Sequence, residues 1–328
     1  MSYLAVIDLG SNSTRMVVEE LQADGTFVEL KRRKLDTRLA EGMDQNAGEL
    51  TEAAMTRVVE ALIEFRDDYM AYEGVSVVGI ATAAVREATN QADFLDRVYR
   101  AVGVEIRVLT GDQEAYYDYL GAVSALDISD AWLLDTGGAS VELVGIEERM
   151  AANFISLPFG AVNLSEKFRL NGEGKIEPSL IERASQYVSD QYDHLPWLED
   201  TTTLPIILLG GANRSLARLD RLRHGLPADS NFHGYEMTTE SVLKTFDEMA
   251  NMTHAERAEV LGTEANRADI IISGLLPLVE LISRTGADKV IFSASGVREG
   301  LLQEYRMTLT TKKTFKEQNK NRRYVDPR

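Results

Sequence analysis

The chain has 328 residues, with 35 Lys and Arg against 52 Asp and Glu, a formal net charge of −17, and no cysteine. Its length suits two domains of ordinary size, and its charge argues against a nucleic-acid coat or an anionic membrane surface as partner. The missing thiols exclude a disulfide framework, a cysteine nucleophile and Cys-ligated zinc. Four scattered histidines without a His-Glu-x-x-His pattern also make a zinc hydrolase a poor fit.

In chain order, residues 3–18 (YLAVIDLGSNSTRMVV) read as an apolar strand ending in Asp8, a Gly/Ser/Asn turn and a second strand. Thr51 followed by Glu52 opens an amphipathic helix carrying Met55, Val58, Val59, Leu62, Ile63 and Tyr69 at helical spacing. Val75–Ala81 reads as a buried strand, 91–102 as a helix, Val104–Leu109 as a strand and 113–125 as a helix. This βαβα succession marks an α/β layer fold. A second hairpin follows at 131–146, then helices near 160–170 and 178–192, a strand at Pro205–Leu209, helices near 213–223, 238–250 and 266–285, a strand at 289–294 and a last helix at 297–306. The second half repeats the first, which places one domain at 1–125 and another at 126–307, with the last helix near their junction and a basic, solvated tail at 308–328. No basic stretch leads into a long apolar run at the N-terminus, and nowhere do 18 apolar residues follow one another, so a cytoplasmic protein outside the membrane is expected.

The two hairpins carry the chemistry. Residues 130–145 (DAWLLDTGGASVELVG) align with 3–18 so that Asp8 falls on Asp135, Gly10 on Gly137 and Ser13 on Ser140. Glycine lets backbone approach a ligand, successive turn N–H groups form an anion nest, and a strand-end aspartate can hold a metal that phosphates share. Either hairpin alone is equally an ordinary turn; the paired pattern points to a duplicated fold gripping one phosphorylated ligand from both sides. The run Lys31-Arg-Arg-Lys34 reads as a solvated strand end or as a guide for a polyanion. Gly172-Glu-Gly-Lys175 lacks P-loop spacing and reads as a turn.

Further strings fall at strand ends, where open α/β sheets bind ligands: Ala81-Thr-Ala-Ala-Val-Arg86, Thr110-Gly-Asp-Gln-Glu114-Ala and Leu209-Gly-Gly-Ala-Asn-Arg214. With Asp8-Leu-Gly-Ser-Asn-Ser-Thr-Arg15, Arg38-Leu-Ala-Glu-Gly42, Asp135-Thr-Gly-Gly-Ala-Ser-Val-Glu142, Leu157-Pro-Phe-Gly-Ala-Val162 and Ser295-Gly-Val-Arg-Glu-Gly300, the chain resembles the exopolyphosphatase/guanosine pentaphosphate phosphatase family from residue 3 to about 306. The resemblance implies an actin-like fold, as in sugar kinases and Hsp70, built of two ribonuclease-H-like domains with the active site in the interdomain cleft. It implies removal of the terminal phosphate of inorganic polyphosphate or of pppGpp by water, with Mg2+ as cofactor, room for a monovalent cation such as K+, and a homodimer. A kinase of the same fold and a sensor that binds without turnover are the rival readings.

Carried over residue by residue, the resemblance makes Glu114 the group that orients or deprotonates the attacking water; taken alone it is also a favourable first-turn helix glutamate. Arg86 contacts the scissile phosphate, a task suited to a rigid, permanently charged fork. Asp135 binds Mg2+, helped by Asp8 and Glu142, a sparse set of the kind that ion accepts. Gly10, Ser11, Asn12, Ser13 and Arg15 make the first phosphate loop, Gly137, Gly138, Ala139 and Ser140 the second, and Gly211 a further contact. Alternation along a strand leaves open whether Arg15 faces the cleft or turns away. Gln113, Ala139 and Ala212 depart from the family pattern, where a glutamate, a glycine and a threonine are common. Longer members continue into a helical domain with a His-Asp pair that this sequence lacks, so short or medium polyphosphate chains are the expected substrate.

Overall fold

Alternation along the first strand sets the architecture. In the computed structural model, β1 (Ser2–Leu9) sends Ala5, Ile7 and Leu9 into one apolar core, while Leu4 and Val6 point to the opposite face. The structure describes residues 2–308 except 23, 25, 199–202 and 228–230; most of the expected basic tail therefore lies outside the described residues.

β2 (Thr14–Leu21) pairs antiparallel with β1, setting Arg15 opposite Asp8, and β3 (Phe27–Leu35) pairs antiparallel with β2 at the edge. β4 (Ser76–Ala81) and β5 (Ile106–Val108) join parallel on the other side, giving the order β3-β2-β1-β4-β5. α1 (Glu52–Tyr69), whose Thr51 hydroxyl accepts from the Ala54 N–H, and α3 (Gln91–Val102) cover the Ile7 face. They bury Phe65 and Phe94 completely, side chains whose truncation to alanine typically costs about 3–5 kcal/mol. Between β4 and α3 lies the single turn α2 (Ala83–Glu87), and α4 (Gly111–Ala125) follows β5.

The second sheet repeats the first. β6 (Ala131–Thr136), β7 (Val141–Glu147) and β8 (Met150–Leu157) form an antiparallel meander, β9 (Ile206–Gly210) and β11 (Lys289–Phe292) extend it in parallel from β6, and β10 (Glu236–Thr238) closes the edge. The order β8-β7-β6-β9-β11 matches β3-β2-β1-β4-β5 strand for strand. α5 (Ala161–Phe168), α6 (Pro178–Tyr192), α7 (Gly211–Arg223), α8 (Thr239–Ala250), α9 (His254–Leu261) and α10 (Ile271–Thr285) complete the lobe.

Two helices cross between the lobes. Although α4 follows the first sheet, its Ala115, Tyr119 and Ala122 pack on Leu133, Val144 and Ile207 of the second. The last helix, α11 (297–308), returns to the first sheet, where Leu302 meets Leu4, Val6 and Val17 and Leu301 meets Ile80. α4 thus follows the first sheet in the chain and packs on the second. The crossing is close enough to need glycine: a Cβ on Gly121 would lie inside contact of the Gly296 carbonyl, and one on Gly300 inside contact of the Tyr117 carbonyl.

Several elements go beyond the sequence reading. The Lys31–Lys34 run lies within β3, where Lys31 and Arg33 pair with Asp68 of α1 and Lys34 pairs with Asp36, so charge tolerated on an edge strand hid a full strand. β8, β10, α2 and α9 were not anticipated. The helix expected over 266–285 begins at Ile271; residues 262–267 form a 3-10 segment instead, which delivers the buried Arg267 toward the cleft.

Candidate active site

The carboxyl ends of β1 and β6 face each other across a cleft holding a cavity of about 390 Å³, lined from both lobes. Each hairpin turn closes in the same way: Gly10 N–H donates to the Ser13 carbonyl at 3.1 Å, and Gly137 N–H to the Ser140 carbonyl at 3.0 Å. A Cβ on either glycine would stand about as close to the same carbonyl, 2.9 Å at Gly10 and 3.0 Å at Gly137. The loop carbonyls are tied outward. Ala40 N–H donates to Ser11 O and Arg38 N–H to Asn12 O, while Ala161 and Val162 N–H donate to Gly137 O and Gly138 O. No backbone acceptor among the described residues takes the N–H of Asn12, Ser13, Gly138 or Ala139, which leaves two nests of donors for an anion. The nests touch: a Cβ on Gly138 would lie 2.8 Å from Ser11 Cβ.

Gly10, Ser11, Asn12, Ser13, Gly137, Gly138, Ser140 and Gly211 line the cavity. Within the loops the Ser11 hydroxyl accepts from Ala84 N–H at 3.3 Å, and the Ser13 hydroxyl donates to Asp36 at 2.8 Å. Ala139 instead turns its methyl into the first lobe's core, and its carbonyl accepts from the Asn163 amide. Arg15 faces the cleft, 3.7 Å from Asp8, because the antiparallel register puts the two on one face.

Glu114 reaches the cavity from the first turn of α4. Thr110 and Gln113 close a capping box there, with Gln113 N–H on the Thr110 hydroxyl at 3.2 Å and Thr110 N–H on the Gln113 side chain at 3.0 Å. The departure at Gln113 is thereby a helix cap, and the next residue turns inward. Arg86, on α2, donates to the Glu114 carboxylate at 2.9 Å and to the Leu109 carbonyl at 3.1 Å. Burial raises the Glu114 pKa to about 7 in spite of Arg86, with Asp135 and Asp8 adding to the rise. A carboxylate poised at neutrality is what proton abstraction at physiological pH requires. The Ser156 hydroxyl of β8 accepts from Arg86 at 3.5 Å and donates to Glu142 at 2.7 Å. Glu142 stands behind the cavity wall, and burial followed by the charges of Glu114 and Asp135 pushes its pKa well up.

The duplication is chemically asymmetric at one pair. Asp8 is opposed on its neighbouring strand by Arg15, whereas Asp135 is opposed by Glu142. Burial raises the pKa of Asp8 and of Asp135, offset by Arg15 at the first and by Arg214 and Arg15 at the second. Asp135 Oδ1 is buried without a hydrogen-bond partner, which fits a carboxylate awaiting a cation. Among the described residues no three His, Asp or Glu side chains converge as a preformed cage. Mg2+ retains waters and substrate oxygens and needs no such cage.

The list of cations drawn from sequence was short. Arg214, at the first turn of α7, has its pKa lowered to about 9, by burial first and then by Arg15 and Arg267. Arg267 is buried, and Arg298 opens α11; all three line the cavity. The strings ending in Arg214 and containing Arg298 were the available signals. For Arg267 there was none, since its role depends on the turn before α10.

The sequence profile of the Ppx/GppA phosphatase family matches residues 6–309. The chain is 30% identical over 306 residues to the guanosine-5'-triphosphate,3'-diphosphate pyrophosphatase of Vibrio campbellii, covering 92% of this chain and 58% of that protein. It is 25% identical over 311 residues to exopolyphosphatase 1 of Mycobacterium tuberculosis, covering 91% and 87%. It spans about half the length of the first curated relatives it matches. The crystal structure of the Aquifex aeolicus Ppx/GppA family member superposes with a TM-score of 0.75 at 27% identity, over 93% of this chain and 97% of that one. Two matched sheets around a cleft, two facing anion nests and a profile match along nearly the whole chain agree, and the chain belongs to the Ppx/GppA phosphatase family.

Proposed function

We propose that the protein is an exopolyphosphatase that hydrolyses the terminal phosphoanhydride of short to medium inorganic polyphosphate. The observation that carries this is the position of Glu114, with its pKa near 7, at a cavity walled by two nests of unused N–H donors. The nests hold successive phosphates of the chain. Arg86 and the cleft arginines neutralise charge on the transferring phosphoryl group, and Glu114 accepts the proton of the attacking water. Asp135 would hold Mg2+ directly, with Asp8 and the more remote Glu142 acting through water, and the ion when bound would spread the developing charge of the phosphoryl oxygens.

Hydrolysis of pppGpp at its 5' end is the second reading, favoured by the similarity to the Vibrio protein. Phosphate release with Mg2+ from medium-chain polyphosphate, tripolyphosphate and pppGpp, for the wild type and Glu114→Gln, separates the readings. Release from polyphosphate that falls about 10²-fold or more in the variant supports the proposal. A preference for pppGpp selects the second reading, and binding without turnover leaves a sensor.

A further inference from the structure

One buried acid in the cleft has no part in the mechanism above. Asp118 lies one helical turn beyond Glu114 on α4, is 0% exposed, and lines the cavity. Its Oδ1 accepts the Val297 N–H at 2.9 Å and so caps the start of α11 across the lobe junction. Its Oδ2 is buried with no hydrogen-bond partner, and the carboxyl group stands within hydrogen-bond reach of Asp135, whose Oδ1 is likewise unpartnered.

Capping a helix uses one oxygen, which asparagine, serine or threonine would supply equally well. Asp118 buries a second, acidic oxygen as well. Burial, then the charges of Asp135, Glu142 and Glu114, disfavour its carboxylate, and the Val297 N–H favours it. Two buried acids facing one another share a proton in the protein alone. The same pair becomes favourable around a divalent ion, and one or two carboxylates plus phosphate oxygens is the set that Mg2+ takes.

We infer that Asp118 is a second protein ligand, beside Asp135, for the divalent cation of this cleft. The inference rests on the reading of Asp135 as a metal ligand. It gives Asp118 two tasks, with one oxygen holding α11 and the other meeting the ion, so that the cation sits directly against the helix that ties the lobes together.

The test is Mn2+ binding to the substrate-free protein, by calorimetry and by the loss of the free-ion paramagnetic resonance signal, for the wild type, Asp135→Asn and Asp118→Asn. Asparagine keeps the acceptor for Val297 and so spares the cap. Weakening of at least about 10-fold in both variants, with thermal midpoints near wild type, together with Mn2+ anomalous density bonded to both carboxylates in wild-type crystals, supports the inference; the same weakening with density on Asp135 alone makes Asp118 an outer-shell partner and refutes it. Weakening in Asp135→Asn alone overturns the role of Asp118 and leaves the reading of Asp135 standing. Affinity unchanged in both variants, or no binding by the wild type, overturns both. Should Asp118→Asn not fold, the anomalous signal of Mn2+ soaked into wild-type crystals decides: density bonded to Asp118 and Asp135 together supports the inference, and density on Asp135 alone refutes it.

Discussion

Replacing Arg86 by glutamine tests the proposed base through its neighbour. Arg86 lies 2.9 Å from the Glu114 carboxylate and its side chain is 21% exposed. With charge centres about 4 Å apart and an effective dielectric near 20, the attraction is about 4 kcal/mol. Solvent at the partly exposed guanidinium reduces this to about 1–3 kcal/mol, or about one to two pH units on the carboxyl group. Glu114 must be deprotonated to accept a proton, and Arg86 favours its charged form. Wild-type kcat/KM therefore rises with pH through about 7, and in Arg86→Gln the rise moves upward by about one to two pH units. The assay is the kcat/KM profile for tripolyphosphate from pH 5.5 to 9.5. Ionisation of the substrate is common to both enzymes, so only the displacement is read. A lower rate with an unmoved midpoint would refute the reasoning, because Arg86 would then act on substrate without setting the charge of Glu114.

Three further predictions follow from close contacts and burial. Gly138→Ala brings a methyl against Ser11 between the two nests; kcat/KM should fall about 10-fold or more while the thermal midpoint holds, and unchanged kinetics would mean the nests do not act together. Gly121→Ala forces α4 off the Gly296 backbone and should cost about 1–3 kcal/mol, several degrees in melting temperature; a wild-type midpoint would contradict the close crossing. Burial raises Glu19, 6% exposed, to a pKa of about 7. A folded-state value above the unfolded one means the penalty is absent below about pH 4.5, grows up to about 7 and is complete above it. Glu19→Gln should therefore stabilise the protein by on the order of 1–2 kcal/mol at pH 8 and by little at pH 5; equal effects at both pH values, measured by denaturant titration, would exclude this origin.

What could be read from sequence was what local chemistry decides. The two loops announce themselves because a turn that close to a neighbouring carbonyl leaves little room for a Cβ, and Gly10 and Gly137 meet that demand in both copies. The strands flanking them are near-continuous apolar runs, buried on both faces. β3 stayed hidden because an edge strand is free to carry Lys31-Arg-Arg-Lys34, and β8 because its residues are only half buried. In the site, Glu114, Arg86 and Asp135 lie in strings with a recognisable pattern. The direction of Arg15 needed the β1–β2 register, and Asp118 and Arg267 owe their places to helices from distant parts of the chain. Such tertiary positions leave no local trace.

The exchange of α4 and α11 between the sheets also governs how the molecule is made. Leu302 seals the face of the first sheet formed by Leu4, Val6 and Val17, so the half synthesised first lacks part of its core until more than three hundred residues have left the ribosome. A nascent or truncated chain ending before 297 exposes that apolar sheet face and is a substrate for chaperones and proteases rather than a stable half-molecule. Contacts between the first ten residues and the last described ten have a high loop-closure cost, so covering the second face of the first sheet waits on the return of α11.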